Sequence, residues 1–442
     1  MTKPSTGQLE TTNVSDQANE YKPVRYKPET FRQMLGWCPA VIMIFLVALL
    51  IPSEISFKLG SIRLTPYKLV LLVTFFPNFA KLLMGKVARF NFVDFLIFFH
   101  LFWTFLVIEV HHGSGYSIES GGLRFIELGG AYLLARVNIT DAKSFKGAFA
   151  FLILIICVLA PITFMESVTG QHFIKETASA LSGTGFSNRI NPRFGFHRAY
   201  GPFDHPILYG VFSASLFGVA WFMRPTTRKT PMMALVRQAA IVLAAVSSVS
   251  SGAVAALSTQ VILIGWELYT RRTKNRWRIL FGLFVALYMV VDVISNRSAI
   301  KVFLSYLSFS ATTAYNRVII FNYGIQDVWA NPLFGIGFNV WTRPSWMHST
   351  SMDNFWLVQA VTYGIPGFGT LALAVILLLS RKWKTVDPQI KRLRMGWTIS
   401  MFGIVLTACT VHFWNNSFVY FGFLIGAGTW FQSRQALIQR KR

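Results

Sequence analysis

The chain has 442 residues, of which 53% are hydrophobic and 14% are charged, and its formal net charge at pH 7 is +24. Soluble globular domains carry a charge on about a quarter of their residues, so this composition excludes an ordinary soluble domain. The hydrophobic residues occur in repeated, nearly uncharged stretches of roughly twenty residues, a length that crosses a bilayer core as a helix. The composition predicts an all-α polytopic integral membrane protein.

Residues 1–36 are polar, contain proline and lack the short positive region and cleavage site of a secretion signal, so we expect a disordered tail. A single helical membrane domain is predicted over residues 37–433, followed by a basic tail over residues 434–442. About twelve spans are expected in the domain, at 37–53, 64–84, 91–110, 120–136, 145–166, 205–223, 232–249, 252–270, 279–295, 353–380, 395–413 and 417–433. The fourth contains Arg124 and Glu127, a pair one helical turn apart that either satisfies itself or faces the bundle interior.

Lysine and arginine are concentrated in alternate connections between the predicted spans, for example "RRTKNRWR" at 271–278 and "RKWKTVDPQIKRLR" at 381–394. Because positively charged loops stay in the cytoplasm, this pattern places both termini there. The surplus charge then meets the anionic inner leaflet of the bilayer, so it does not predict a nucleic-acid partner. The outer face carries two long connections, near 167–204 and 296–352, and the larger lies between the ninth and tenth spans.

The two long outer connections contain arginines and few acids. Arg193 and Arg198 belong to the first connection, and Arg317 belongs to the second. A planar guanidinium binds phosphate oxygens through paired hydrogen bonds, so these side chains predict an anion site. The alternative is that they contact the phosphates of outer-leaflet lipids.

The tenth span begins in "SMDNFWLVQAVTYGIPGF" (351–368), where Asp353 and Asn354 stand directly before a long apolar run. His348 lies five residues upstream of Asp353. An aspartate at this place can be a helix N-cap or a general base. The two roles are compatible. Asn354 is expected to hydrogen-bond the carboxylate or a sugar hydroxyl.

Several fragments, taken in order, resemble the signatures of the O-antigen ligase and O-antigen polymerase superfamily. They are Arg317, "WANPLFGIG" (329–337), Asp353-Asn354 and "YGIPG" (363–367), preceded by the weaker "RAYGPFDHPILYG" (198–210) and "SSGAVAAL" (250–257). The resemblance extends over roughly residues 188–370. It implies a metal-independent, cofactor-free glycosyltransferase of the bacterial inner membrane. Such an enzyme takes a glycan from a polyprenyl diphosphate carrier at the periplasmic face and joins it, with inversion, to an acceptor glycan.

The resemblance also implies roles for individual residues. Arg198 and Arg317 would hold the diphosphate, and the family's usual His-Asn pair would supply the base. Here Asp353 stands where the family has histidine, so the base is Asp353, or His348 from five residues away, or neither. Substrate contacts are predicted for Arg193, His205, Trp329, Gly335, Gly337 and Asn354.

Three of these substrate contacts have a second interpretation. His205 precedes a proline at the start of a span, where it makes a structural hydrogen bond or contacts glycan. Trp329 stacks on a sugar face or belongs to an interfacial aromatic belt. Gly335 and Gly337 lack a Cβ, so the backbone can approach a ligand closely there.

The first functional hypothesis is a surface polysaccharide polymerase, acting on O-antigen or exopolysaccharide units. A ligase that transfers glycan to lipid A core shares the donor chemistry. A transporter or flippase would require ionisable residues near mid-membrane, and the acidic candidates lie near span ends. A scaffold for other polysaccharide assembly proteins is the non-enzymatic alternative. No metal is expected, since no carboxylates or histidines on the outer face have ligand spacing.

Overall fold

The computed structural model describes residues 29–60, 62–87, 89–188, 190–225, 231–296, 298–306, 309–347, 349–380 and 387–432. These residues are mostly α-helical, which confirms the predicted all-α class. Six of the described helices are long and apolar enough to cross a membrane. They are Phe92–His112, Ala142–Thr169, Pro206–Met223, Ser251–Tyr269, Arg276–Ile294 and Phe355–Ser380.

The first half of the described chain contains nine α-helices and one hairpin. The helices are α1 (Phe31–Leu35), α2 (Ala40–Leu49), α3 (Pro66–Leu83), α4 (Phe92–His112), α5 (Ser114–Tyr116), α6 (Gly122–Arg124), α7 (Ala131–Asn138), α8 (Ala142–Thr169) and α9 (Phe173–Ser182). Two π-helices, Ser117–Gly121 and Phe125–Gly130, join α5, α6 and α7 into one helical stretch. The antiparallel hairpin of β1 (Phe57–Leu59) and β2 (Ile62–Leu64) was not predicted.

The second half contains the remaining helices. They are α10 (Pro206–Met223), α11 (Met232–Ser247), α12 (Ser251–Tyr269), α13 (Arg276–Ile294), α14 (Ala299–Tyr306), α15 (Ala311–Ala330), α16 (Phe355–Ser380), α17 (Pro388–Thr407), α18 (Asn416–Gly428) and a 3-10 turn at Thr429–Gln432. Each predicted span coincides with a helix, although the finer count of twelve crossings remains a prediction.

The N-terminal tail differs in part from the expected disorder. Residues 1–28 and the basic tail 434–442 lie outside the described residues. Residues 31–35 form α1, which begins with a capping box. Gln33 N donates to Thr30 Oγ1 at 3.3 Å, and Thr30 N donates to Gln33 Oε1 at 2.9 Å. These bonds satisfy backbone donors that a helix start otherwise leaves unpaired, so a short helix is stabilised in a polar segment.

The two long outer connections are partly helical. The first contains α9, and the second contains α14 and α15. Their polar residues hid these helices from a search for continuous apolar runs. Arg317 therefore lies on the side of a regular helix, α15, rather than on an irregular loop.

The centre of the bundle is α10, which packs against α8, α11, α12 and α17. Most of its residues are buried, as expected for a helix that is apolar on all sides. Gln260 of α12 is completely buried and bonds to α10 twice. Its Nε2 donates to Ala214 O at 2.7 Å, and its Oε1 accepts from Gly218 N at 2.9 Å. These bonds fix α12 against α10. The segment that leads into α10 is therefore attached to a rigid helix pair.

Helix α16 is broken at Gly364, which has φ +70° and ψ −179°. This backbone conformation is essentially restricted to glycine. A Cβ at Gly364 would lie 1.9 Å from Leu333 O, which is far inside a van der Waals contact. Both the backbone angles and the contact therefore require glycine here.

The break in α16 is filled by the turn at residues 331–337, which we call the glycine turn. Ile336 N donates to Val361 O at 2.9 Å, and Gly337 N donates to Thr362 O at 3.0 Å. In return, Ile365 N donates to Pro332 O at 2.7 Å. The carbonyls that the break leaves without helical partners thus accept hydrogen bonds from the glycine turn. The fragments at 329–337 and 363–367 therefore form one structural unit, which we call the joint.

We expect Gly364→Ala to destabilise the protein by about 1–3 kcal/mol from backbone strain alone, with the Leu333 contact adding to this. Thermal unfolding in detergent would measure the change. Gly369→Ala in the same helix is the matched control, because no neighbouring atom lies within 4 Å of its added Cβ. Equal melting temperatures for the two variants would contradict the importance of the joint.

Candidate active site

Arg198 lies in the segment that leads into α10, and this segment is held by backbone hydrogen bonds. Ala199 N donates to Ser247 O at 3.0 Å. The fully buried carboxylate of Glu166 accepts from Tyr200 N at 3.1 Å and from Gly201 N at 3.0 Å. These contacts connect the segment to the ends of α8 and α11, so the position of Arg198 is set by two helices.

The Arg198 side chain is 4% exposed. Its Nε donates to Ser248 O at 3.3 Å, whereas its buried Nη2 has no hydrogen-bond partner within the described residues. Burial, reinforced by the charge of Arg193, lowers the pKa of Arg198 to about 10. The group stays cationic at neutral pH and forms no ion pair in the part of the chain that the structure describes, and a buried donor without an acceptor costs free energy.

Arg317 is 5% exposed on α15 and belongs to the same electrostatic cluster. Burial lowers its pKa, Arg193 lowers it further, and the Asp353 carboxylate opposes both effects. Arg193 therefore acts on both buried arginines, and Asp353 is near enough to act on one of them. We call Arg193, Arg198, Arg317 and Asp353 the arginine cluster.

Arg193 is held by a tight turn in the described part of the first connection. Its backbone N donates to Phe196 O at 2.9 Å, and Phe196 N donates to Arg193 O at 3.0 Å. Phe194 within this turn has φ +54°, an uncommon value for a residue with a bulky side chain. The turn therefore fixes the backbone position of Arg193.

The N-cap of α16 is Asn354 and not Asp353, so the cap interpretation of Asp353 is wrong. Asn354 Oδ1 accepts from Leu357 N at 3.0 Å, and Asn354 O accepts from Val358 N at 2.9 Å. The helix is fixed at this point because Phe355 N donates to Ala408 O at 2.8 Å. The cap occupies the Asn354 side-chain oxygen, whereas Asp353 is half-buried and accepts from Ser351 Oγ at 2.9 Å.

His205 is the N-cap of α10. Its Nδ1 accepts from Ile207 N at 3.2 Å, so a structural hydrogen bond is present. Burial lowers its pKa to about 4, and the charges of Arg198 and Arg193 add to this effect. The imidazole is therefore neutral at neutral pH beside the arginine cluster. Contact between His205 and a glycan remains a prediction.

Gly335 and Gly337 pack closely against other parts of the chain, and their contact with a substrate stays a prediction. A Cβ on Gly335 would lie 2.4 Å from Val361 O, and one on Gly337 would lie 2.8 Å from His111 Cβ. The close approach that these glycines permit is to α16 and α4 of the same chain. Trp329, at the end of α15, is 69% exposed and keeps both of its interpretations.

A second charged group at this end of the bundle is fully paired and was missed by the sequence analysis. Lys175 is 2% exposed, and its Nζ lies 2.6 Å from Glu54 Oε1 and 3.1 Å from Asp204 Oδ1. Asp204 also accepts from Ser53 and from Asn415 Nδ2. Burial alone would raise the pKa of Asp204, but these partners lower it below its usual value.

This paired group joins segments that are far apart in sequence, which is why no local pattern revealed it. It connects α9, the residue before His205, and the start of α18. Its two carboxylates contact one cation, Lys175, so this group is a structural support. The arginine cluster, as defined above, contains three cations and one carboxylate.

His348, the other candidate for the general base, lies outside the described residues. In the part of the chain that the structure describes, no group of three or more His, Cys, Asp or Glu side chains could hold a metal ion. The chain matches no protein-family model and no curated protein.

Proposed function

We propose that the protein is a membrane glycosyltransferase that polymerises surface polysaccharide. It would take a glycan from a polyprenyl diphosphate carrier at the periplasmic face and transfer it to a sugar hydroxyl, with inversion and without a metal. The observation that supports this proposal is the arginine cluster: Arg198 and Arg317 are almost completely buried, the charge of Arg193 acts on both, and the charge of Asp353 acts on Arg317.

The charge of the cluster supports an anionic substrate. The positive charge of Arg193 opposes that of Arg198 and that of Arg317, and the latter two side chains are almost completely buried. Such an arrangement is stabilised when a multiply charged anion binds between the cations. The unpartnered Nη2 of Arg198 supplies a donor that a phosphate oxygen would accept from.

The attraction between these cations and the diphosphate would be strongest in the transition state. The bond between the anomeric carbon and the carrier diphosphate breaks, and the electron pair leaves with the diphosphate. Arg198 and Arg317 would stabilise this developing charge, and preorganised donors of this kind typically contribute about 10²–10³-fold in rate. Arg193 would add to the field and help to bind the ground-state diphosphate.

Asp353 is suited to accept the proton of the attacking hydroxyl. The acceptor oxygen forms a bond to the anomeric carbon from the face opposite the leaving group, and its proton passes to the Asp353 carboxylate. General-base assistance typically contributes about 10²–10⁴-fold. Because Asn354 caps α16, Asp353 is not needed to hold the helix start. The carboxylate is therefore available for this role.

Profiling of carrier lipids in a strain that lacks the gene would test the proposal. A polymerase predicts accumulation of single repeat units on polyprenyl diphosphate, because their joining is blocked. A ligase predicts accumulation of long lipid-linked chains instead. A profile identical to that of the parent strain would contradict both forms of glycosyl transfer.

A further inference from the structure

Arg124 occupies an irregular part of the helical stretch α5–α7. The π-helices Ser117–Gly121 and Phe125–Gly130 flank the three-residue helix α6 that contains it. Short π-helical turns are frequent at functional sites, since the wider turn changes the direction of the following side chains. An arginine inside a long apolar stretch is expensive and calls for a partner.

Three aromatic rings surround the Arg124 guanidinium. Its central carbon lies 5.1 Å from the ring centre of Phe338, 5.8 Å from that of Phe418 and 6.0 Å from that of Tyr363. The rings come from the segment after the glycine turn, from α18 and from the residue before the break in α16. The joint at Gly364 therefore helps to build this environment, and the ring faces attract the cation.

Arg124 does not pair with Glu127, so that sequence alternative is excluded. Glu127 Oε1 lies 3.3 Å from Lys68 Nζ and accepts from the Tyr67 hydroxyl at 3.4 Å. Among the described residues, Arg124 has neither a hydrogen bond nor an ion pair. Its five N–H donors are thus without protein acceptors there.

Tyr363 adds a second unused donor to the same place. This side chain is 2% exposed, and its hydroxyl has no hydrogen-bond partner within the described ranges. A buried hydroxyl without a partner costs free energy, so it indicates a missing acceptor. The Arg124 guanidinium lies 6.0 Å from the centre of the Tyr363 ring, and neither it nor the Tyr363 hydroxyl has an acceptor among the described residues, so a bound oxyanion would satisfy both.

We propose that Arg124 and Tyr363 form a second oxyanion site that binds the phosphate group of an amphiphilic molecule. The aromatic rings of Phe338 and Phe418 provide apolar contacts beside the charge, which favour an organic phosphate over a fully hydrated ion. No covalent step is involved. The site does not depend on glycosyl transfer at the arginine cluster.

The second site and the arginine cluster are built from different side chains. Arg124 is surrounded by Phe338, Phe418 and Tyr363, none of which belongs to the arginine cluster. Substitutions can therefore disable each site separately.

Calorimetric titration of the full-length protein in a neutral detergent would test the second site. The probes are geranyl diphosphate, geranyl phosphate and inorganic pyrophosphate. To isolate the second site, titrations use the Arg198→Gln/Arg317→Gln double variant. We expect this variant to retain one site for geranyl phosphate or diphosphate, and the further change Arg124→Gln to weaken it at least tenfold. Tyr363→Phe, which removes only the hydroxyl, should weaken it several-fold.

The controls distinguish a lipid phosphate from a free phosphate. They also distinguish failure of the second site from failure of the proposed function. Arg343→Gln should leave binding unchanged, because Arg343 Nε donates to Met347 O and contacts none of the three rings. Tighter binding of geranyl diphosphate than of pyrophosphate supports a lipid source, and equal binding supports a free phosphate. Binding that survives both Arg124→Gln and Tyr363→Phe, or no binding in the double variant, overturns the second site. Neither result alters the carrier-lipid profile that tests the proposed function.

Discussion

Arg198→Gln and Arg317→Gln are each expected to lower glycan transfer by about 10²–10³-fold, because each removes a preorganised cation from the departing diphosphate. The measurement is polymer formation from lipid-linked repeat units by the purified variants. The two changes should not be additive, since both side chains act on one anion within the field of Arg193. The double variant should therefore be little worse than either single variant.

The matched control for these variants is Arg343→Gln, which removes an arginine from the same outer region without touching the cluster. Its polymer formation should equal that of the wild type. Equal amounts of each variant in the membrane fraction would show that insertion is normal. Wild-type polymer length in Arg317→Gln would refute the diphosphate assignment.

Asp353→Asn is expected to lower the rate of transfer by about 10²–10⁴-fold, because the amide cannot accept the proton of the attacking hydroxyl. The fold should be unaffected, since Asn354 provides the N-cap of α16 and the backbone of Phe355 bonds to α17. Initial rates, together with thermal unfolding of the same preparations, would separate the chemical role from a structural one. Asp353→Glu should restore part of the activity.

His348→Ala is the companion variant, because His348 lies five residues from Asp353. Full activity in Asp353→Asn together with inactivity in His348→Ala would transfer the role of base to His348. Asn354→Ser would test the cap, since serine is also a good N-cap. Loss of activity in Asn354→Ser at unchanged stability would show a substrate contact through the remaining amide group.

Two of the family-like fragments have a structural purpose in this chain. The glycine turn fills the break in α16, and the bond from Ile365 N to Pro332 O closes the joint. Phe338, directly after that turn, and Tyr363, directly before the break, then meet over Arg124. Glycines that a sequence search associates with a ligand therefore act indirectly, by positioning aromatic side chains.

Hydropathy was sufficient to predict the apolar helices. A helix in an apolar setting satisfies its own backbone hydrogen bonds, so a continuous apolar run is enough to indicate it. The members of the arginine cluster were also found from sequence, since arginine and few acids in an outer connection is a compositional signal. The polar helices α9 and α15 were missed because they lack a continuous apolar run. The N-cap of α16 was misplaced by one residue, because Asp353 and Asn354 have similar capping preferences.

The sequence by itself determined which apolar segments are helical and which cations are candidates. Only the tertiary structure decided which charges are paired. Lys175 meets Asp204 and Glu54, and Lys68 meets Glu127, whereas Arg124 has aromatic rings around it. An ion pair forms between atoms within about 4 Å of each other. The partners named here are far apart in sequence, so only helix packing brings them within this distance.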